Sequence, residues 1–257
     1  MTNNSDNKPL VSIITPVLNG DKNLEDTIKS ILDQTYTNIE YIIIDGGSSD
    51  KTTDIIKKYE NKISYWVSEK DNGIGDAFNK GIRVAKGDYI NFQGDGDGFT
   101  YNNALEDIFQ NINSSEDIFI STRIKRVDVN GNEIYISKHI KYFDKKTLLF
   151  CMSLPHQGLF THKSYFGKYG LFDTSYIYSM DYDHLLRAYK YFPRVVTKDI
   201  IAARWREDGL GNNKSLEIYK EYDKSKRKNK VAGNVTLTLI KYWILLKHYM
   251  KALIGRV

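Results

Sequence analysis

The residues best suited to chemistry in this sequence are two carboxylates one position apart in a glycine-flanked run, Gly94-Asp95-Gly96-Asp97-Gly98. Such a pair can face a hard divalent cation, Mg²⁺ or Mn²⁺, and a diphosphate that shares it, while the glycines allow a tight turn and close approach of a ligand. An isolated Asp-Gly-Asp is more often an acidic surface turn. A calcium loop is a rival, because Asp95, Asp97 and Glu106 fall at positions 1, 3 and 12 of that spacing. It fails where Phe99 replaces a ligand and Thr100 replaces the required glycine.

Other carboxylates recur at similar places. Asp45 ends an apolar run and precedes Gly46-Gly47-Ser48-Ser49, so it can accept hydrogen bonds from a nucleotide base or ribose, with Ser49 or Asp50 free to cap the next helix. Asp71 lies in Glu69-Lys70-Asp71-Asn72-Gly73. Asp76 falls in the first turn of a helix, where the dipole alone suffices to explain it. Asp181 and Asp183 begin a later helix. Either could be a general base toward an acceptor hydroxyl, and the sequence does not choose between them. Pro155-His156-Gln157 interrupts an apolar region with groups that suit hydroxyl binding. No His-Glu-x-x-His is present, and no Gly-x-Gly-x-x-Gly follows either of the first two strands, which argues against a dinucleotide-dependent dehydrogenase. The single cysteine, Cys151, reads as a small buried thiol within Leu148–Met152.

The elements that position these groups alternate. Strand patterns at Leu10–Ile14, Ile39–Ile44, Ile63–Val67 and Asp88–Phe92 are separated by helical patterns at Asn23–Leu32, Thr52–Tyr59 and Ile74–Ala85. A βαβαβαβ order predicts a doubly wound, mostly parallel sheet with right-handed crossovers, and ligands collect at the carboxyl ends of such strands. Four polar turns converge there: Thr15–Gly20, Asp45–Asp50, Glu69–Gly73 and Gly94–Gly98. Beyond residue 100 the pattern loosens to a helix at Ala104–Phe109, a strand at Asp117–Ser121, a hairpin near Asn130-Gly131 and the helix of Asp181.

Composition excludes several classes. Of the 257 residues, 41% are hydrophobic and 27% charged, as in an ordinary globular protein, and no apolar run approaches the roughly 20 residues that span a bilayer. The 19 tyrosines suit sugar stacking and sheet filling equally. One cysteine and a polar start without a leader pattern point to the cytoplasm. Charge is uneven: residues 214–257 hold eleven Lys or Arg against three acids, a net +8, which leaves −3 on residues 1–213 of the +5 total. Charge confined to one segment argues against nucleic acid as a partner. Within residues 237–254, Leu239, Tyr242, Trp243, Leu246, Tyr249, Met250 and Leu253 share a helical face opposite Lys241, Lys247 and Lys251. This basic amphipathic helix suits an anionic membrane surface, or packing on its own domain or a second copy.

Taken in order, Val11–Asn19, Ile44–Thr52, Ser68–Ile74, Asp76–Gly81, Gly87–Ile90, Asp95–Asp97, His156-Gln157, Gly170–Asp173 and Asp181–Arg187 resemble family 2 glycosyltransferases, particularly the bacterial O-antigen and capsule type. The resemblance covers residues 10–211. It implies a GT-A fold, a nucleotide-sugar donor with UDP the expected nucleotide, inversion at the anomeric carbon, and Mg²⁺ or Mn²⁺. Carried over by position, Thr15, Pro16, Asn19, Asp45, Asp71 and Asp76 bind the donor, Asp95 and Asp97 serve donor and metal, His156 and Gln157 bind the acceptor, and Asp181 is the base. The spacing of Asp95 and Asp97 departs from the adjacent carboxylates common in the family. The implied organisation is a disordered N-terminus over 1–9, a transferase domain over 10–213 with a donor half (10–100) and an acceptor half (101–213), and a basic tail over 214–257. The implied acceptor is a lipid-linked oligosaccharide at the cytoplasmic face of the inner membrane. A sugar nucleotidyltransferase is the alternative enzyme, but Thr15–Gly20 lacks its glycine-rich, Arg-containing loop. A non-catalytic carbohydrate-binding or nucleotide-binding module is the third reading.

Overall fold

The computed structural model describes residues 8–113 and 117–253, so most of the expected disordered N-terminus lies outside the described residues. Val11–Val17 (β1), Ile39–Asp45 (β2), Tyr65–Ser68 (β3) and Tyr89–Phe92 (β4) form a parallel half-sheet in the order β3-β2-β1-β4. β1 is buried along its whole length because helices cover both sheet faces. Val11 and Ile13 enter one core with Leu24, Ile28 and Ile31 of helix α1 (Leu24–Leu32), and Ile14 enters another with Ala77, Phe78 and Ile82 of helix α3 (Ile74–Val84). The short helix Thr52–Lys58 (α2) completes the first layer through Ile56.

The expected elements of the donor half are present. β1 runs past Ile14, so Thr15, Pro16 and Val17 are strand residues and not turn.

The second half departs from a mostly parallel sheet. Gly98–Phe99 (β5), Phe119–Val127 (β6), Glu133–Ile136 (β7), Leu159–His162 (β8) and Val195–Arg206 (β9) extend the sheet as β4-β8-β6-β9-β5, with β7 hairpinned onto β6. Only β6 and β9 pair in parallel there; β4–β8, β6–β8, β6–β7 and β5–β9 are antiparallel, so the sheet as a whole is mixed. The helices are Ala104–Phe109 (α4), Lys163–Tyr169 (α5), Met180–Leu186 (α6), Ser215–Lys228 (α7) and Asn234–Leu253 (α8). A third core joins Phe119, Tyr165, Tyr182, Leu185 and Leu186 to Val231 and Leu237, so the basic tail packs on the acceptor half. Tyr36, Tyr41, Tyr89, Tyr165, Tyr176 and Tyr182 are almost fully buried, which accounts for much of the tyrosine content as core filling.

Candidate active site

The 94–97 turn is built from below by α1. Thr27 Oγ1 donates to the Asp97 carbonyl at 2.7 Å and accepts the Gly96 N–H at 3.0 Å. Gly96 has φ 84°, a conformation that favours glycine, and a Cβ there would have to displace the Arg206 side chain, whose Cδ it would meet at 2.7 Å. Asp97 is buried. Its Oδ1 accepts the Arg206 N–H at 2.9 Å and its Oδ2 accepts Gln157 Nε2 at 3.0 Å. Asp95 Oδ1, by contrast, is buried with no hydrogen-bond partner. Burial first, and then the Asp97 charge, pushes the Asp95 carboxyl up to about 7, with Arg206 opposing. Burial pushes Asp97 up to about 6 against the lowering effect of the Arg206 and Gln157 bonds.

Two crowded carboxylates with an unmet oxygen fit a divalent cation. Mg²⁺-type sites need only one or two protein carboxylates when substrate phosphates complete the shell, and among the described residues no group of three His, Cys, Asp or Glu offers a closed site. The unmet oxygen is on Asp95, whereas each Asp97 oxygen already accepts one bond and has only a second lone pair to give.

These carboxylates open into a cleft of about 1130 Å³ at the carboxyl ends of the parallel strands. Pro16, Asp71, Asp95, Asp97, His156, Gln157 and Asp181 all line it. The remaining expected donor residues do not line it. Asp45 is fully buried, with both oxygens committed to Ser48 and Oδ2 also accepting from Ser68 Oγ at 2.5 Å; it holds the turn after β2. Thr15 is buried with Oγ1 3.2 Å from Tyr41 Oη. Asn19, at φ 54°, joins two loops by accepting the Ser49 N–H and donating its own N–H to Ser48 Oγ. Asp76 accepts the Asn72 N–H at 3.1 Å and pairs with Lys80. In this structure Asp45 and Asn19 hold the turns after β1 and β2 together, Thr15 braces β1 on β2, and Asp76 holds the turn before α3.

On the acceptor side, Asp181 and Asp183 are now distinct. Asp183 is fully buried, and although burial raises its pKa, Arg187 at 2.9 Å, Lys228 and Asn229 outweigh this and hold the carboxyl below its usual range. Asp181 faces the cleft with Oδ1 on the Tyr182 N–H and Oδ2 3.7 Å from His156 Nδ1. The His156 ring stacks on Phe92 at 5.0 Å, burial lowers its pKa, and its Nε2 has no partner. Gln157 turns its amide nitrogen to the other side of the site: Nε2 donates to Asp97, while its backbone carbonyl accepts from Asn91 and Gln93. Cys151 is exposed at the cleft margin, which corrects the expectation of a buried thiol; Leu148 of the same stretch enters the third core, and Cys151 lies outside it.

Sequence reasoning did not single out Trp205, Arg206 and Asp208, which close the cleft beside Asp95, nor Ile218 and Tyr222 of α7. The polar cluster that ends the β-rich run at Trp205 was the available signal for the first three.

A parallel half-sheet with carboxylates at its strand ends opens onto one deep cleft that also holds His156 and Asp181. The model of glycosyl transferase family 2 matches residues 12–189, and the chain belongs to that family. An uncharacterised glycosyltransferase of Rickettsia typhi is 33% identical over 223 residues, covering 84% of this chain and 70% of the relative. A PGL/p-HBAD biosynthesis glycosyltransferase of Mycobacterium bovis is 29% identical over 213 residues, covering 79% and 80%. Among solved structures, Staphylococcus aureus TarS 1–349 in complex with UDP superposes with a TM-score of 0.70 at 17% identity over 93% of this chain and 72% of TarS. The mannosyltransferase PcManGT of Pyrobaculum calidifontis, solved with GDP-Man and Mn²⁺, gives 0.65 at 15% identity over 89% of this chain and 66% of that one. The fold is thus that of GT-A glycosyltransferases.

Proposed function

We propose that this glycosyltransferase moves a hexosyl group, with inversion, from a UDP-sugar to a hydroxyl of a lipid-linked glycan in surface polysaccharide biosynthesis. The observation that carries the reading is the cleft itself, which joins the Asp95–Asp97 turn to Asp181 across one space. The nucleotide lies toward Pro16 and Asp71, the diphosphate toward Asp95 and Asp97, and the acceptor toward His156 and Asp181. A Mg²⁺ or Mn²⁺ held by Asp95 and Asp97 would supply positive charge to the leaving diphosphate. Asp181 takes the proton of the acceptor hydroxyl as its oxygen bonds to the anomeric carbon on the face opposite the leaving group, which gives inversion. His156, neutral through burial, keeps the Asp181 Oδ2 oxygen without a fixed counter-charge.

The tail supports a membrane-borne acceptor. In α8, Leu237 and Ile240 are buried against the protein, while Leu239, Tyr242, Trp243, Leu246, Tyr249 and Met250 remain exposed. This is the apolar face read from the sequence, and it does not pack on its own domain. Two copies meeting there would each bring a segment of net +8, whereas an anionic bilayer complements that charge. No helix among the described residues is long and apolar enough to cross a membrane; the association proposed is peripheral, at the cytoplasmic face of the inner membrane.

The test is a panel of nucleotide sugars incubated with the protein and Mn²⁺ or Mg²⁺, with release of nucleoside diphosphate followed with and without chelator. UDP-GlcNAc, bound by TarS in one of its structures, belongs in the panel. Chelator-sensitive release from a UDP-sugar is expected. Binding of nucleotide sugars without release, also in the presence of a lipid-linked acceptor extract, would favour the binding-module reading.

A further inference from the structure

The first turn of α6, which carries Asp181, has no side-chain cap of its own. The segment entering it is held instead by one residue of α7. Glu221 Oε1 accepts the Ile177 N–H at 2.8 Å, and Oε2 accepts the Tyr178 N–H at 2.9 Å, the Ser179 N–H at 2.9 Å and the Ser179 hydroxyl at 2.7 Å. One carboxylate thereby fixes three consecutive peptide N–H groups two to four residues before Asp181. Ile177 and Tyr178 also line the cleft, so the same contact shapes the acceptor wall.

The grip is repeated one and two turns along α7. Ser225 Oγ and Asn229 Nδ2 each lie 3.0 Å from Asp183 Oδ1, so Glu221, Ser225 and Asn229, spaced by four, present a single polar stripe to α6. Between them, Tyr222 stacks on Tyr182 with ring centroids 4.0 Å apart. The stripe belongs to residues 214–257, which the sequence marks only as a basic tail.

We propose that Glu221 is a positioning residue for Asp181, and that α7 is therefore part of the catalytic apparatus. Glu221 does not touch the cleft and acts by fixing the backbone from which Asp181 projects. The inference rests on Asp181 being the base. Freeing residues 177–179 lets the first turn of α6 drift, and an error of about 1 Å in a reacting group costs up to about 100-fold in rate. Donor contacts at Asp71 and Asp95 lie on other elements and stay in place.

Glu221→Ala, Glu221→Gln and Asp181→Asn are compared with wild type by release of nucleoside diphosphate from the panel's best donor, and by amide hydrogen exchange over residues 173–187, which needs no substrate. For Glu221→Ala, kcat should fall about 10- to 100-fold with donor KM within about two-fold of wild type, and residues 177–183 should exchange faster. Glu221→Gln keeps one accepting oxygen and should lie between the two, a rescue that loss of a merely stabilising contact would not produce alongside an unmoved donor KM. If Asp181→Asn is inactive while Glu221→Ala turns over normally, or if exchange at 177–183 is unchanged, the inference fails and the base assignment stands. If Asp181→Asn is active, the base assignment fails and takes the inference with it.

Discussion

Replacing Asp95 by Asn removes a carboxyl that the fold holds at about 7, against 3.8 for the free group, because burial and the Asp97 charge oppose ionisation. At pH 5 the folded protein keeps the Asp95 proton while the unfolded chain has lost it. Raising the pH therefore favours the unfolded chain until the folded pKa is passed. Stability from this group is fully present below about pH 4 and is lost as pH rises to about 7. Between pH 5 and 7, at ~1.4 kcal/mol per unit and with the folded group half ionised at pH 7, the metal-free wild type should lose about 2.3 kcal/mol that Asp95→Asn keeps. With an unfolding entropy of ~2.1 cal/mol/K per residue over 257 residues, this is a Tm difference of about 4 °C opening between those pH values. Thermal unfolding in chelator at pH 5, 6, 7 and 8 measures it. Adding Mn²⁺ with UDP should then raise the wild-type Tm and leave the variant nearly unmoved, since the ligand binds only a folded site with its carboxylate intact. Parallel Tm-versus-pH curves for the two proteins, or a variant less stable than wild type at pH 8, would refute the reasoning.

Two further predictions concern other elements. Gly81→Ala places a Cβ 2.5 Å from Ile14 Cγ2, deep between α3 and β1, and should destabilise the protein by about 1–3 kcal/mol in denaturant titrations. Trp243→Glu with Leu246→Glu on the exposed face of α8 should abolish flotation with vesicles containing anionic lipid while leaving nucleotide-sugar hydrolysis in solution unchanged; equal flotation of variant and wild type would exclude the bilayer as occupant of that face.

The donor half was legible because its signals are local. Each strand is a continuous apolar run, each helix repeats its apolar residues at three and four, and the polar turns follow directly. The cores of Ile14, Ala77 and Phe78 follow from that alternation. What the sequence hid is long-range. β6 and β9 pair although Phe119 and Val195 are 76 residues apart, and neither strand's pattern names its partner. Asp45 and Asp95 both follow apolar strands, yet one is sealed by Ser48 and Ser68 and the other is left with an unmet oxygen, a difference made by neighbours from other loops. Asp181 and Asp183 have a similar local setting; Asp183 pairs with Arg187 one turn along its own helix, and the docking of α7 adds Ser225 and leaves Asp181 to the cleft. The charge of α7 dominated its pattern, so the stripe of Glu221, Ser225 and Asn229 was visible only once its partner helix was known.

The central claim is that the cleft transfers a sugar with Asp181 as base. Its most direct test is turnover of the panel's best nucleotide sugar by wild type and Asp181→Asn, with nucleotide affinity measured by calorimetry in the same Mn²⁺ buffer. Near-complete loss of turnover with nucleotide affinity unchanged is expected. Turnover by Asp181→Asn close to that of wild type would contradict it.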